Sequence, residues 1–401
     1  MSARVAVTEV TTRAARAAFL SFPSRVHRDV PAFVPPLLAD ERAALTPHAS
    51  PLWDEAKASL FLARVAGRVV GRIALIASAQ ADRALGRREL RFGWFDCIDD
   101  ADVADALFAR AADWARALGV EALAGPQGFC GFDRTGLLVE GFDRPVSLAG
   151  DYHPPHYEAH LRRLGFEPTM DTVEHELRAF PLPAEHRLIK LAEEVMRRRR
   201  FRLVPLRTRR DILAWGVPVL ELLDEVYEGL WGAFPLSARQ RAHYVAQFFP
   251  YLDLELVKLV TAEDGTLVGF VVCFPALAEG FRRAGGHRFP FGLLHLHRAA
   301  KRARRLEIGL GGVRRSHRGL GVELALGLAL NRTALARGFT AAEVYPQLET
   351  NTRVQGLWSA CDPTVIRRRR LYRLRFASTS AASATMLPTP ASSDSASSIA
   401  K

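Results

Sequence analysis

Four cysteines in 401 residues, none in a Cys-x-x-Cys pair, leave neither a disulfide framework nor a thiolate metal knuckle to read. Cys97, Cys130, Cys273 and Cys361 are far apart and read as reduced, buried thiols. No segment approaches the ~18–20 uninterrupted apolar residues that a membrane span needs. Met1–Val10 lacks an apolar core followed by a small-residue cleavage site, so a cytoplasmic protein is expected. No His/Cys/Asp group has metal-ligand spacing and no nucleophile stands beside a base, so neither a metal nor a covalent intermediate is expected. Acidic residues are also short, 43 against 55 basic ones, and the net charge of +12 favours anionic partners. Aromatics are not interleaved with the basic runs as a strand-stacking platform requires, which argues against nucleic acid.

What is present is ordinary globular composition, 49% hydrophobic and 24% charged. Residues 377–401 are the exception, Ser/Ala/Thr-rich and almost uncharged, and read as a disordered tail. The remainder reads twice as one α/β plan. In the first pass Arg4–Val10 is a strand and Arg13–Arg25 a helix. Leu60–Val65 and Arg68–Ala77 form a hairpin about Ala66-Gly67, and Arg91–Cys97 is a strand. Asp102–Leu118 is a helix stopped by Gly119, Glu121–Ala124 a strand and His156–Leu164 a helix. In the second, Arg209–Leu230 is helical and Leu256–Val260 pairs with Leu267–Phe274. Leu306–Val313 is a strand, Gly321–Ala336 a helix, Ala342–Tyr345 a strand, Thr352–Ala360 a helix and Ile366–Phe376 a strand. The expected fold is α/β with a mixed sheet, duplicated, with domains at 1–180 and 181–376 joined near Pro181-Leu-Pro183.

The sharpest local signal is the strand Leu306-Glu-Ile-Gly-Leu-Gly-Gly-Val313, the loop Arg314-Arg-Ser-His-Arg-Gly-Leu-Gly321 and then an apolar-periodic helix. Gly319 and Gly321 let the backbone turn tightly and approach a ligand. The helix behind them presents free N–H groups and its positive dipole end, an arrangement suited to a pyrophosphate. The GxGxxG spacing of a dinucleotide fold is missing.

Val313-x4-Arg318-Gly-Leu-Gly321 resembles the acyl-CoA loop of GNAT acyltransferases, and Glu349-Thr-Asn351-x6-Trp358 resembles the later Asn-bearing helix of that fold. The resemblance implies two tandem GNAT-like domains with acyl-CoA as co-substrate. Val313, Arg318, Gly319, Leu320, Gly321 and Val322 would form its loop, and Asn351 would stand on the later helix. Two positions depart from the pattern: Glu323 stands where Gly or Ala is usual, and Trp358 where many members carry a tyrosine acid. Phe33-Val-Pro-Pro36, the Gly128–Asp143 phrase, Phe289-Pro-Phe-Gly292 and Leu348-Glu-Thr-Asn351 are together similar to a bacterial subfamily of tandem GNAT-like proteins. The first copy has no Arg-x-x-Gly-x-Gly after Trp94–Ile98, so a structural or acceptor-shaping role is expected for it.

Amide formation from a thioester needs a neutral amine, a base for its proton and donors for the oxyanion. Glu307, eleven residues before Arg318, is the first candidate base, with Glu343 and Glu349 as rivals. His295, His297 and His317 titrate in the useful range, and Tyr345 and Tyr372 are candidate replacements for the missing tyrosine. From Arg282 to Arg318 there are eleven Arg or Lys and one carboxylate, Glu307. Within that run a helical wheel puts Leu293, Leu296, Ala300 and Ala303 opposite Arg298, Lys301, Arg302 and Arg305. Such an element suits an anionic membrane surface on the inner face, or a helix packed on its own domain. The functional expectation is an N-acyltransferase acting on an amine, a sphingoid base being the best specific acceptor. A tRNA-dependent aminoacyl transferase and a catalytically silent CoA- or lipid-binding protein are the alternatives. Arg367–Arg370 reads as a charged strand.

Overall fold

The structure, a computed structural model, describes residues 4–178, 186–230 and 232–376; the tail and the Pro181–Pro183 join lie outside the described residues. The first half runs β1 (Ala6–Glu9), α1 (Arg13–Val26), α2 (Leu38–Ala44), β2 (Ala56–Val65), β3 (Arg68–Ser78), α3 (Ala79–Leu85) and β4 (Glu89–Cys97). It continues with α4 (Ala101–Leu118), β5 (Ala122–Gly125), β6 (Leu137–Glu140), α5 (His156–Arg163) and β7 (Glu167–Arg178). The second half begins with α6 (Arg187–Arg198), β8 (Arg202–Leu203), α7 (Arg209–Tyr227), α8 (Ala238–Phe248), β9 (Val257–Thr261) and β10 (Leu267–Pro275). It ends with α9 (Ala278–Ala284), α10 (Gly292–Arg302), β11 (Arg305–Val313), α11 (Val322–Ala336), β12 (Ala341–Leu348), α12 (Thr352–Leu357) and β13 (Thr364–Arg375). The succession strand, helix, hairpin, strand, helix, strand, helix, strand occurs in each half; the sequence shows its hairpin, strand, helix, strand, helix portion twice, and β7 and β8 are additional.

Local chemistry explains the elements. Ala66 and Gly67 both take positive φ (47° and 80°), the twist that a two-residue hairpin turn needs between β2 and β3. Asp100 accepts from the Asp102 N–H at 2.9 Å to start α4, and left-handed Gly119 ends it. The inward face of α4, including Val103, Leu107, Phe108 and Ala111, joins Phe92, Phe95 and Phe166 in the first-half core. In the second half, Val322, Leu326 and Leu330 of α11 pack with Val268, Ile308 and Val344.

All strands join one mixed sheet in the order β1-β2-β3-β4-β5-β13-β7-β12-β11-β10-β9-β8, with β6 also pairing β13. The halves exchange their last strands. β13, from the end of the chain, pairs with β5 and β6 of the first half, while β7 pairs with β12 of the second. The two exchanged strands pair with each other, antiparallel, from Thr364 opposite Glu176 to Arg373 opposite Glu167.

At this seam the run Arg367–Arg370 is indeed a strand, yet two of its four arginines are 0% exposed. Side chains alternate across a sheet, so Arg367 and Arg369 share a face. Both grip Glu174 of β7, at 2.9 and 2.8 Å. Arg367 also donates to the Pro145 carbonyl and Arg369 to that of Asp151. Burial alone would raise the Glu174 carboxyl; Arg369 and Arg367 together hold it below its ordinary value. On the opposite face Arg370 pairs with Asp171 at 2.7 Å.

Candidate functional site

β11 and β12 run parallel and paired only from Arg305–Ala341 to Ile308–Val344. Beyond that point they part. β11 carries on against β10 alone, with a register shift that leaves Gly309 without a partner between Ile308 and Leu310. From Gly309 to Gly312 the strand is only partly buried, and Gly311 is exposed. The strands therefore diverge where β11 runs on toward the loop before α11.

Glu307 sits just inside this parting and is 2% exposed. Its Oε2 accepts from the Tyr345 hydroxyl at 3.0 Å and from the Leu148 N–H at 3.3 Å. Burial pushes its pKa up to about 8, with a further push from the Glu343 charge; the Tyr345 and Leu148 hydrogen bonds and Arg367 oppose the rise without cancelling it. Leu148 belongs to the first half. The segment from Pro145 to Asp151, pinned by Arg367, Arg369 and a 3.3 Å bond from Ser147 to Glu174, therefore forms one wall of a site in the second half.

The rival carboxylates are committed elsewhere. Glu343 is buried between Arg305, at 3.0 Å, and Arg367. Glu349 is half-exposed and bound to Arg368 at 2.6 Å. Tyr345 is brought to Glu307, and burial raises its own pKa well above the ordinary value. Tyr372 bonds Glu158 of α5 in the first half. His295 and His297 lie on α10, and His317 meets Phe201 with the rings tilted and their centroids 5.7 Å apart.

The loop residues divide by what they touch. The Val322 side chain is buried in the second-half core with Val313, and Leu320 packs against its edge. Arg318 turns inward, donating to the Val313 carbonyl at 3.1 Å and the Val226 carbonyl at 3.3 Å, so its fork ties the loop to β11 and α7. Gly319, at φ 72°, has open space on its free side. Gly321, at φ 91°, caps α11 without a side chain, and a Cβ there would lie 2.7 Å from Val195 of α6. Gly321 is thus required by packing as well as by backbone conformation. Glu323, in the first turn, accepts from the Gly319 N–H at 3.3 Å and occupies one donor of the loop. Asn351 caps α12, accepting from Val354 at 3.4 Å, and the Trp358 indole N–H is buried with no acceptor among the described residues. Among the described residues one group brings metal-ligating types together, which sequence spacing did not show: Cys97, His156 and His160, within 4.8 Å of one another at the end of β4 and on α5. In it His156 Nε2 faces the Cys97 carbonyl at 3.5 Å.

This architecture is that of tandem GNAT proteins, the fold of acyltransferases. A tandem GNAT protein from the clavulanic acid biosynthesis pathway superposes with a TM-score of 0.55 at 16% identity, over 93% of this chain and 98% of its own. A glucosamine N-acetyltransferase region of a fungal multi-domain enzyme also gives 0.55, at 12% identity, over 93% of this chain and 38% of that one. Among curated proteins the chain is similar to a bacterial ceramide synthase of Caulobacter vibrioides, 29% identical over 364 residues, 87% of this chain and 92% of that protein. It is also similar to protein YghO of Escherichia coli, 28% identical over 362 residues, 88% of this chain and 91% of that one. No family model matches the sequence.

Proposed function

We propose that the protein is an N-acyltransferase that moves a long-chain acyl group from acyl-CoA to an amine, with a sphingoid base as the acceptor and a ceramide as the product. The observation that carries this reading is Glu307: a buried carboxyl with its proton affinity raised, held by Tyr345 and Leu148 where the strands of the second copy part. The similarity to a ceramide synthase over most of both chains supports the choice of acceptor. In the proposed step the amine nitrogen attacks the thioester carbonyl, the C–S bond breaks, and CoA leaves as a thiolate that ends as the thiol. Glu307 takes the proton the nitrogen must lose. A carboxylate near pKa 8 is a far better base than an ordinary one and is still partly ionised at neutral pH. The uncapped end of α11 and the open backbone at Gly319 would receive the diphosphate. An acceptor with a long chain comes from a membrane, so peripheral attachment at the inner face belongs to the same reading.

The test is mass spectrometry of purified protein given palmitoyl-CoA and sphinganine, or its 3-keto form, with Glu307→Gln alongside. Amide product from the wild type and a ~10²–10⁴-fold loss in the variant support the proposal; no amide with any amine tried would sink it. A second reading, a catalytically silent CoA- or lipid-binding protein, draws on Glu323 bound to Gly319 and on Trp358 in the tyrosine's place. It expects CoA to bind and no turnover to follow.

A further inference from the structure

α9 and α10 form a helical hairpin inserted between β10 and β11 of the second half. The helical wheel places Leu293 with Leu296, Ala300 and Ala303 on one face; in the hairpin Leu296 is buried and Leu293 exposed. Its base is anchored: Leu277, Phe281 and Leu296 bury against Leu37, with Leu148 packed on the same cluster. The turn is also tied to the first half by Leu38 N–H to the Gly286 carbonyl at 2.9 Å and by the Arg288–Asp40 ion pair. Its tip is bare. Phe289 is 75% exposed, Phe291 63%, Leu293 48% and Leu294 42%. A held hairpin that presents two phenylalanines and two leucines within six residues costs free energy in water unless something covers them.

The charge on α10 is of one sign. Arg282 and Arg283 are paired with Glu279. On α10, however, Arg298, Lys301 and Arg302 are exposed and, among the described residues, have no carboxylate within salt-bridge distance. Arg283, His295, Arg298 and Arg302 line a cleft of about 330 Å³ between the two helices, together with Glu279, which holds Arg283. Apolar side chains for the acyl boundary and unpaired cations behind them for the headgroups are the two terms of interfacial binding.

We infer that this hairpin docks the protein on an anionic lipid bilayer, with Phe289, Phe291, Leu293 and Leu294 entering the acyl boundary and Arg298, Lys301 and Arg302 meeting lipid phosphates. The docked surface adjoins the acceptor side of the site. Leu148 packs against the hairpin base through its side chain while its N–H holds Glu307. This consequence, delivery of an amphiphilic amine from the bilayer to Glu307, rests on the proposed function; the docking itself does not.

The experiment uses the full chain and vesicles of phosphatidylcholine with 30% phosphatidylglycerol. The wild type sediments with them at 50 mM salt and not with pure phosphatidylcholine. Each cation near such a surface contributes about five-fold in affinity, so one combined variant, Arg298→Glu with Lys301→Glu and Arg302→Glu, loses at least 100-fold. Phe289→Ser with Phe291→Ser removes the part of binding that survives 0.5 M salt. Phe291→Trp shifts its emission to the blue on vesicles and is quenched by brominated acyl chains, while melting temperatures stay near wild type because the tip is exposed. Failure of the wild type to bind, equal binding by the charge variant, or an unshifted Phe291→Trp emission overturns the inference. So does a tip variant that converts a dimer to a monomer without altering vesicle binding, since the tip is then a contact between copies. Turnover separates the two proposals: a tip variant that acylates a soluble short-chain amine normally and fails only with acceptor in vesicles supports both, and vesicle binding without any acylation leaves docking standing and removes the function.

Discussion

The two halves place the same elements around the same parting of strands and fill it differently. In the first, β4 and β5 separate after Arg91 and Ala124, as β11 and β12 do after Ile308 and Val344. There the gap is closed. Gln127 returns its N–H to the Phe92 carbonyl at 2.7 Å, and a Cβ on Gly93 would meet the Gln127 backbone at 2.5 Å. β4 is buried along almost its whole length, whereas β11 is only partly buried from Gly309 to Gly312. The helix after β4 is capped by Asp100, and the helix after β11 has no side-chain cap. Pairing ends at Arg91 in the first half and at Ile308, one residue past Glu307, in the second. Arg91 is buried and donates to the Gly128 and Phe129 carbonyls, so beside its parting the first half holds a fixed cation and the second a group able to take a proton. One plan thus serves as a wall in one half and as a candidate site in the other.

The comparison breaks most sharply at Glu307. Glu307→Gln is expected to reduce turnover by ~10²–10⁴ with CoA affinity nearly unchanged, measured by steady-state kinetics and calorimetry. Its pH behaviour is a separate signature. The ordinary value is 4.5 and the folded value about 8, so across that window the unfolded chain has released a proton that the fold retains. Wild-type stability therefore falls as pH rises from 4.5 to 8 and levels above it, while turnover rises with pH as Glu307 ionises. The Gln variant loses that part of the slope, so its melting temperature gains on the wild type as pH increases.

Next in size is Glu174→Gln, which strands Arg367 and Arg369 without their shared carboxylate and is expected to cost about 3–5 kcal/mol in denaturant unfolding. Both halves should lose stability together, because the seam belongs to both. Asp100→Ala, by contrast, should cost about 1 kcal/mol and leave CoA binding untouched. On the second-half side Glu323→Gly frees the Gly319 N–H and removes an anion from the loop proposed to receive the diphosphate. CoA affinity should rise by about two- to five-fold, read by calorimetry. A Gly321→Val change is a poorer test, since it meets Val195 before it meets any ligand.

Much of the frame was legible because it is local. Asp100, Gly119 and the Ala66-Gly67 turn announce their elements within a few residues, and the placing of Glu307 on a strand before the glycine loop is read from alternation and spacing. The exchange of strands was not legible. Nothing near Arg367 says that its partner is Glu174, 193 residues earlier, and a run of four arginines looks solvated until a carboxylate strand is laid beside it. β7 escaped notice for the same reason, its Glu174 and Glu176 suggesting surface. Leu148 is a backbone donor, and any residue type supplies an N–H; only the fold aims it at Glu307. The loop arginine misleads in the other direction, since a motif fixes the residue and not the direction in which its fork points.

The exchanged strands also bear on how the chain is made. A ribosome that has released residues up to 178 has produced β7, but the strand that belongs beside β5 is still about 190 codons away. Until β13 arrives, β5 and β7 each present an unpaired edge, the condition under which newly made chains associate wrongly. Contacts this distant in sequence also slow the final closure. Each half is thus the other's last folding step, and a chain shortened before Thr364 should emerge as an aggregation-prone fragment and not as a smaller working protein.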